Sequence, residues 1–274
     1  MSAAPWLTVI EGDAPLILSQ PHTGTSIPPD LMTRFVSPAL ARRDADWWVD
    51  KLYDFGQSLG ATVVHTAISR SVIDVNRDPL GGLLYPGQQE TGLCPATTFD
   101  GTPLYRRGEE ITEPEIAERR ERYFMPYHAA LATQIDRLRK KHGKVVLYDC
   151  HSIRSVIPHL FEGELPVFNI GTNSGKSCDP ALAAKVAETC ATSPFSSILN
   201  GRFKGGWITR SYGNPDLGVH AVQMELSCRG YMDEPAEPSL PGTWPTPYSD
   251  ARVAPMRESL KQVIDACLAF AKDT

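Results

Sequence analysis

Several things are missing from this 274-residue chain, and each absence narrows what it can be. No run approaches the roughly 18 consecutive apolar residues that a membrane-spanning helix needs, so no segment reads as one. No basic excess exists: 27 Lys and Arg stand against 32 Asp and Glu, for a formal charge of −5, and a nucleic-acid partner is not expected. The six cysteines, Cys94, Cys150, Cys178, Cys190, Cys228 and Cys267, form no CxxC pair and read as reduced thiols, not a disulfide frame. The start, MSAAPWLTVIEGDAP, lacks the basic residues and long apolar stretch of a secretory signal, so the expected compartment is the cytoplasm. There is no internal repeat, linker or low-complexity segment, and residues 1–274 are expected to form one domain.

What is present is ordinary globular composition, 42% hydrophobic and 22% charged, in an alternation of short β-like runs and helical stretches. PLILSQ (15–20), ATVVHTAIS (61–69), KVVLYDC (144–150), LPVFNIGT (165–172) and HAVQMEL (220–226) read as strands. Helices are expected over 44–59, where Trp48, Leu52 and Phe55 fall at helical spacing before Gly60, and over 113–142, with Pro126 kinking or dividing it. Two more cover 180–191 and 251–272. Glycines and prolines without periodicity make 78–108 an extended loop, of a length that usually serves as a lid or binding element. This alternation predicts an α/β fold with a largely parallel sheet flanked by helices on both faces.

In open α/β sheets ligands gather beyond the carboxyl ends of the strands. His22 follows the first strand directly, His151 follows KVVLYDC, and Glu225 lies near the end of HAVQMEL, so three strands deliver polar residues to one rim. A catalytic zinc takes about three His, Asp or Glu ligands and leaves a position for water. Two histidines in turn contexts (PHTG, DCHS) supply nitrogen donors, and Asp44 or Asp46 could supply a carboxylate, although aspartate is also a favoured helix-cap residue. Asp149 could orient a ligating histidine. His65, His128, His142, His159 and His220 read as structural. Glu225 sits between Met224 and Leu226 inside a strand, where an unpaired glutamate is rare; it is either a working carboxylate or half of a structural ion pair. Arg70, Arg77, Arg154, Arg202 and Arg210 lie in loops and offer planar forks suited to carboxylates, though each could equally be a solvated surface charge. A non-enzymatic small-anion binding protein is the competing class. A Cys150–His151 cysteine hydrolase is poorly placed, because neighbours on a strand point to opposite faces.

PHTGTSIP (21–28), DADWWVDKLYDFGQSLGATVV (44–64), SRSVIDVNRDP (69–79), LYDCHSIRS (147–155), FNIGTNSGKSCDP (168–180) and GGWITRSYGNPDLGVHAVQMELSCRGYM (205–232) together resemble the N-formylglutamate amidohydrolase (N-formylglutamate deformylase) family, in consistent order through most of the chain. The resemblance implies a mixed α/β fold like that of zinc carboxypeptidases and aspartoacylases, with a metal at the sheet rim. It implies hydrolysis of N-formyl-L-glutamate, a small dicarboxylate N-acyl amino acid, to formate and L-glutamate in histidine degradation; another N-acyl amino acid or small peptide is the alternative substrate. By the same resemblance one Zn2+ would be held by His22, His151 and an acidic residue of 44–46, with Asp46 favoured. Glu225 would be the catalytic glutamate, and Arg70, Arg77, Arg154, Arg202 and Arg210 would meet the substrate carboxylates. The carboxypeptidase pattern of a glutamate three residues after the first histidine is not kept, since Thr25 stands there.

Overall fold

A computed structural model describes residues 5–84, 87–235 and 242–273. Its strands are β1 (Leu7–Ile10), β2 (Leu16–Gln20), β3 (Thr62–Thr66), β4 (Val145–Ile153), β5 (Phe168–Gly171), β6 (Ser197–Leu199) and β7 (Val219–Ser227). They form one sheet in the order β1-β3-β2-β4-β7-β5-β6. The central four, β3, β2, β4 and β7, are parallel, while β1 and β5 run antiparallel to β3 and β7. The sheet is therefore mixed and largely parallel. The helices are α1 (Pro29–Met32), α2 (Pro38–Arg42), α3 (Val49–Leu52), α4 (Glu113–Arg119), α5 (Met125–His142), α6 (Pro180–Ala191), α7 (Trp207–Tyr212) and α8 (Asp250–Lys272).

The two-residue period of the central strands sorts their side chains between two cores. Val146, Tyr148 and Cys150 of β4, with Val222, Met224 and Leu226 of β7, pack under α6 and α8. Val145, Leu147, Val219 and Ala221 face the other way, against Tyr127, Leu131, Ile135 and Leu138 of α5. All nine residues of β4 and of β7 are buried, as expected of strands covered on both faces. Cys150 thus points into the α8 core, away from His151, and burial pushes its thiol well above the ordinary range, which removes it as a nucleophile. All six cysteines are free and buried.

Several elements differ from the sequence expectation. The 44–59 stretch is not one helix: α3 spans only Val49–Leu52, and a 3-10 turn covers Asp54–Leu59. The break comes at Trp48, whose φ of 65° is left-handed. Asp44 and Asp46 consequently lie in a turn ahead of the helix. β4 continues through Ile153, so His151 is inside the strand, not after it. A π-helical turn over Arg120–Phe124 joins α4 to α5 and absorbs Pro126 in the first turn of α5. The short edge strands β1 and β6 had no periodicity to announce them. The 78–108 stretch contains no strand or helix among its described residues, and residues 85 and 86 lie outside the description. No described helix is long and apolar enough to cross a membrane.

Gly24, two residues past His22, shows how closely the strand tips approach. A Cβ there would sit 2.4 Å from the Ala67 carbonyl carbon and 2.5 Å from the oxygens of Thr66 and Ile68. Backbone cannot yield as a side-chain tip can. Gly24→Ala is therefore expected to destabilise the protein by about 1–3 kcal/mol, read as a lower urea midpoint.

Candidate metal centre and active-site cleft

The odd-numbered residues of β4 and β7 that face α5 change from apolar to polar toward the carboxyl ends: Val145, Leu147, then Asp149 and His151; Val219, Ala221, then Gln223 and Glu225. Registry pairs Asp149 with Gln223 and His151 with Glu225. His22 arrives from the end of β2, and its carbonyl accepts the Asp46 N–H at 2.9 Å, tying the two loops together.

Candidate ligand atoms of His22, Asp46 and His151 all lie within 4.8 Å of one another, and all three residues are buried. The hydrogen bonds show which atoms those are. His22 Nε2–H donates to Asp74 Oδ1 at 2.7 Å, and His151 Nε2–H donates to Asp149 Oδ2 at 2.8 Å. Each ring thereby turns Nδ1 toward Asp46 Oδ2, at 3.7 Å from His22 and 3.1 Å from His151. His22 Nδ1 and Asp46 Oδ1 are buried with no hydrogen-bond partner, a rare condition that a bound cation would relieve. Two imidazole nitrogens and a carboxylate are a donor set that suits zinc. The residues fit the metal. Of the acids weighed for the third position, Asp46 is in the cluster; Asp44 instead accepts the Phe99 N–H at 2.7 Å.

The surrounding charges agree. Burial alone pushes the Asp46 carboxyl up, but the His151 and His22 imidazoles outweigh it and hold it below the usual carboxylate range. Burial is likewise outweighed at Asp74, which His22, Arg70 and Arg77 hold well below that range. At His151 burial favours the neutral ring, yet Asp149 and Asp46 raise it well above the ordinary histidine value. Asp149 also accepts from Ser19 Oγ at 2.8 Å and Asn76 Nδ2 at 3.2 Å, and Asp74 accepts from Arg70 Nη2 at 2.6 Å.

A cleft of about 550 Å³, counting space open to solvent, rises over this cluster. His22, His151 and Glu225 line its floor, and Phe99, Ile153 and Phe203 give it an apolar wall. Three of the five arginines singled out in the sequence line it: Arg70, Arg77 and Arg202. The other two are elsewhere. Arg154 donates to Asp100 at 2.6 Å and faces a separate groove beside Ser155, and Arg210 Nε donates to the Gly205 carbonyl at 2.8 Å. Thr91 and Glu90 bring the 78–108 loop to the rim, where Arg77 Nε donates to the Thr91 carbonyl at 2.9 Å.

Three polar residues of the site escaped sequence reasoning. Asp74 in VIDVN carries the same signal as Glu225, an acid between apolar neighbours, and Gln223 shares the Glu225 face by period alone. Asn76 had no local signal: its Oδ1 accepts the Ile208 N–H at 2.7 Å, a contact made across 132 residues. Gly206 must be glycine for that contact to exist, since a Cβ would lie 2.5 Å from Asn76 Nδ2.

Burial pushes the Glu225 carboxyl up to about 8, against the opposing influence of His151. The folded metal-free protein therefore binds this proton more tightly than the unfolded chain, whose carboxyl titrates near 4.5. Stability from this group is full below pH 4.5 and is lost as pH rises to about 8, at a slope of up to about 1.4 kcal/mol per pH unit. Glu225→Gln lacks that loss. Denaturation of the metal-free proteins should show the variant gaining on the wild type across this window and not below it.

The sequence profile of the N-formylglutamate amidohydrolase family matches residues 14–232. The chain is 45% identical to the N-formylglutamate deformylase of Pseudomonas aeruginosa over 263 residues, covering 94% of this chain and 96% of that protein. It is 44% identical to the Pseudomonas putida N-formylglutamate deformylase over 265 residues, 96% of each. Its fold is similar to that of the N-formylglutamate amidohydrolase from Ralstonia eutropha JMP134, with a TM-score of 0.77 at 24% identity over 98% of each chain. A gene product of Agrobacterium tumefaciens has a TM-score of 0.72 at 18% identity, covering 98% of this chain and 97% of that one.

Proposed function

The chain belongs to the N-formylglutamate amidohydrolase family, and from that membership and the cleft geometry we propose that it hydrolyses N-formyl-L-glutamate to formate and L-glutamate in a zinc-dependent reaction of histidine degradation. The observation that carries the metal dependence is the pair of histidines whose Nε2–H groups are both committed to buried carboxylates, so that both Nδ1 atoms converge with Asp46. His22, Asp46 and His151 would hold the zinc, which when bound supplies Lewis-acid polarisation of water and of the formyl carbonyl.

The protein's own groups do the rest. Glu225 stands beside His151 on the neighbouring strand and lines the floor of the cleft, next to the residues that would hold the metal. It accepts the proton of the attacking water as the C–O bond forms at the formyl carbon. It then delivers that proton to the amide nitrogen as the C–N bond breaks. Arg70, Arg77 and Arg202 face the same cleft, and the substrate carboxylates are their complement. The apolar wall and the burial of the floor exclude bulk water, which strengthens each of these charge contacts.

The deciding experiment is turnover of N-formyl-L-glutamate by purified protein before and after chelation, with N-acetyl and peptidyl analogues alongside and metal quantified in the same samples. Activity tracking about one zinc per chain, lost on chelation and restored by zinc, is the expected result. Zinc without deformylation, or better turnover of an analogue, defeats the substrate assignment. Full activity in a metal-free sample defeats the metal. Asp149→Asn and Asp74→Asn should each weaken zinc binding by about 10–100-fold in competition with a chromogenic chelator, because each loosens the ring that it orients.

A further inference from the structure

Gln223 and Glu225 lie two residues apart on the cleft-facing side of β7, and both line the cleft. Gln223 is buried, with a partner at each end of its amide. Its Oε1 accepts the Gly206 N–H at 2.7 Å, and its Nε2 donates to Glu225 Oε2 at 3.3 Å. A backbone N–H can only donate, so the amide has one workable orientation: oxygen toward Gly206, NH2 toward Glu225. The anchor is itself held in place, because the Asn76 side chain and carbonyl accept the next two N–H groups, those of Ile208 and Trp207.

A carboxyl oxygen that faces a fixed N–H donor cannot also carry a proton toward it. The contact makes Oε2 the better acceptor and the poorer place for the proton, which favours the mobile proton on Oε1. The contact also removes freedom from a side chain with three rotatable bonds, and a proton carrier works only within hydrogen-bond reach of its targets. We infer that Gln223 is a positioning residue for the reaction: it fixes the Glu225 carboxyl in one orientation and reserves Oε1 for proton transfer. The inference rests on the reading of Glu225 as the proton carrier.

Steady-state kinetics on zinc-loaded protein, with the best substrate of the panel above, test it through two variants. Gln223→Met removes both ends of the amide. Gln223→Glu keeps an acceptor for the Gly206 N–H and puts a second carboxyl in place of the amide donor, so that the two acids compete for one proton, and a folding defect caused by an unpaired backbone amide is confined to the first variant. Both should lose about tenfold or more in kcat with KM changed by less than about twofold, and Gln223→Glu should keep its zinc content. Placed on Glu225→Asp, whose shorter side chain withdraws from the amide, Gln223→Met should cost less than about twofold more. Unchanged kcat in the single variants, a loss confined to KM, or an undiminished loss on the Glu225→Asp background overturns the inference. Glu225→Gln is measured in parallel: if it retains turnover the proton-carrier reading falls, whereas a dead Glu225→Gln beside a fully active Gln223→Met defeats Gln223 alone.

Discussion

Asp46, Asp74 and Asp149 are each fully buried, and a carboxylate withdrawn from water is tolerated only where the protein puts donors or cations in place of the lost hydration. The compensation comes from separate parts of the chain: His22 after β2, Arg70 ahead of Asp74, Asn76 behind it, Ser19 in β2 and His151 in β4. The cluster is thus a knot joining four segments, 19–22, the turn at Asp46, 70–76 and 149–151, as well as a site. Removing one member strands its partner, at a cost of about 3–5 kcal/mol for a buried charge. Even so, compensation is incomplete. Asp46 Oδ1 and His22 Nδ1 are left without a hydrogen-bond partner, and a bound cation would satisfy both.

Holding Asp46 there carries a backbone cost. Trp48, two residues on, adopts a left-handed φ of 65°, which disfavours a bulky residue by roughly 1–2 kcal/mol. Its surroundings impose it: the indole N–H donates to the Thr246 carbonyl at 3.0 Å, and the ring packs edge-on against Tyr248. This strained turn lies where helical spacing predicted an unbroken helix. A continuous helix through 44–48 could not let the Asp46 N–H reach the His22 carbonyl. The local pattern lost to a contact between segments that hydrophobic periodicity does not record.

That distinction accounts for what the sequence made legible. Strands β2, β3, β4 and β7 and helices α6 and α8 announced themselves because burial on both faces, or on one stripe, leaves a periodic trace. His22 and Glu225 could be placed because they sit at the ends of such traces. The choice between Asp44 and Asp46 could not be made that way: both stand in the same turn, and only the course of the backbone sends one to the histidines and the other to the Phe99 amide. The five arginines were indistinguishable for the same reason. Whether a loop residue faces a cleft depends on where the loop lies, which is set by partners as distant in sequence as Asn76 and Ile208.

Among the three arginines that do face the cleft, what each must give up decides how it can serve an incoming carboxylate. Arg70 is committed to Asp74 at 2.6 Å and stands 3.5 Å from Asp46, both fully buried. Drawing it onto a ligand would leave those carboxylates short of a cation in a place water cannot reach, so it acts best as a fixed charge within the floor. Arg77 lies 3.9 Å from Asp74, but its hydrogen bonds run to Thr91 and to a backbone carbonyl, and those of Arg202 include the carbonyls of Gln89 and Leu160. Exchanging a neutral carbonyl for a carboxylate gives a charge-assisted bond roughly twice as strong. The exchange also breaks the bonds that hold residues 89–91 to the rim. A dicarboxylate held by Arg77 and Arg202, as proposed, would therefore be coupled through those same bonds to the position of residues 89–91, while Arg70 would keep the buried charge in balance.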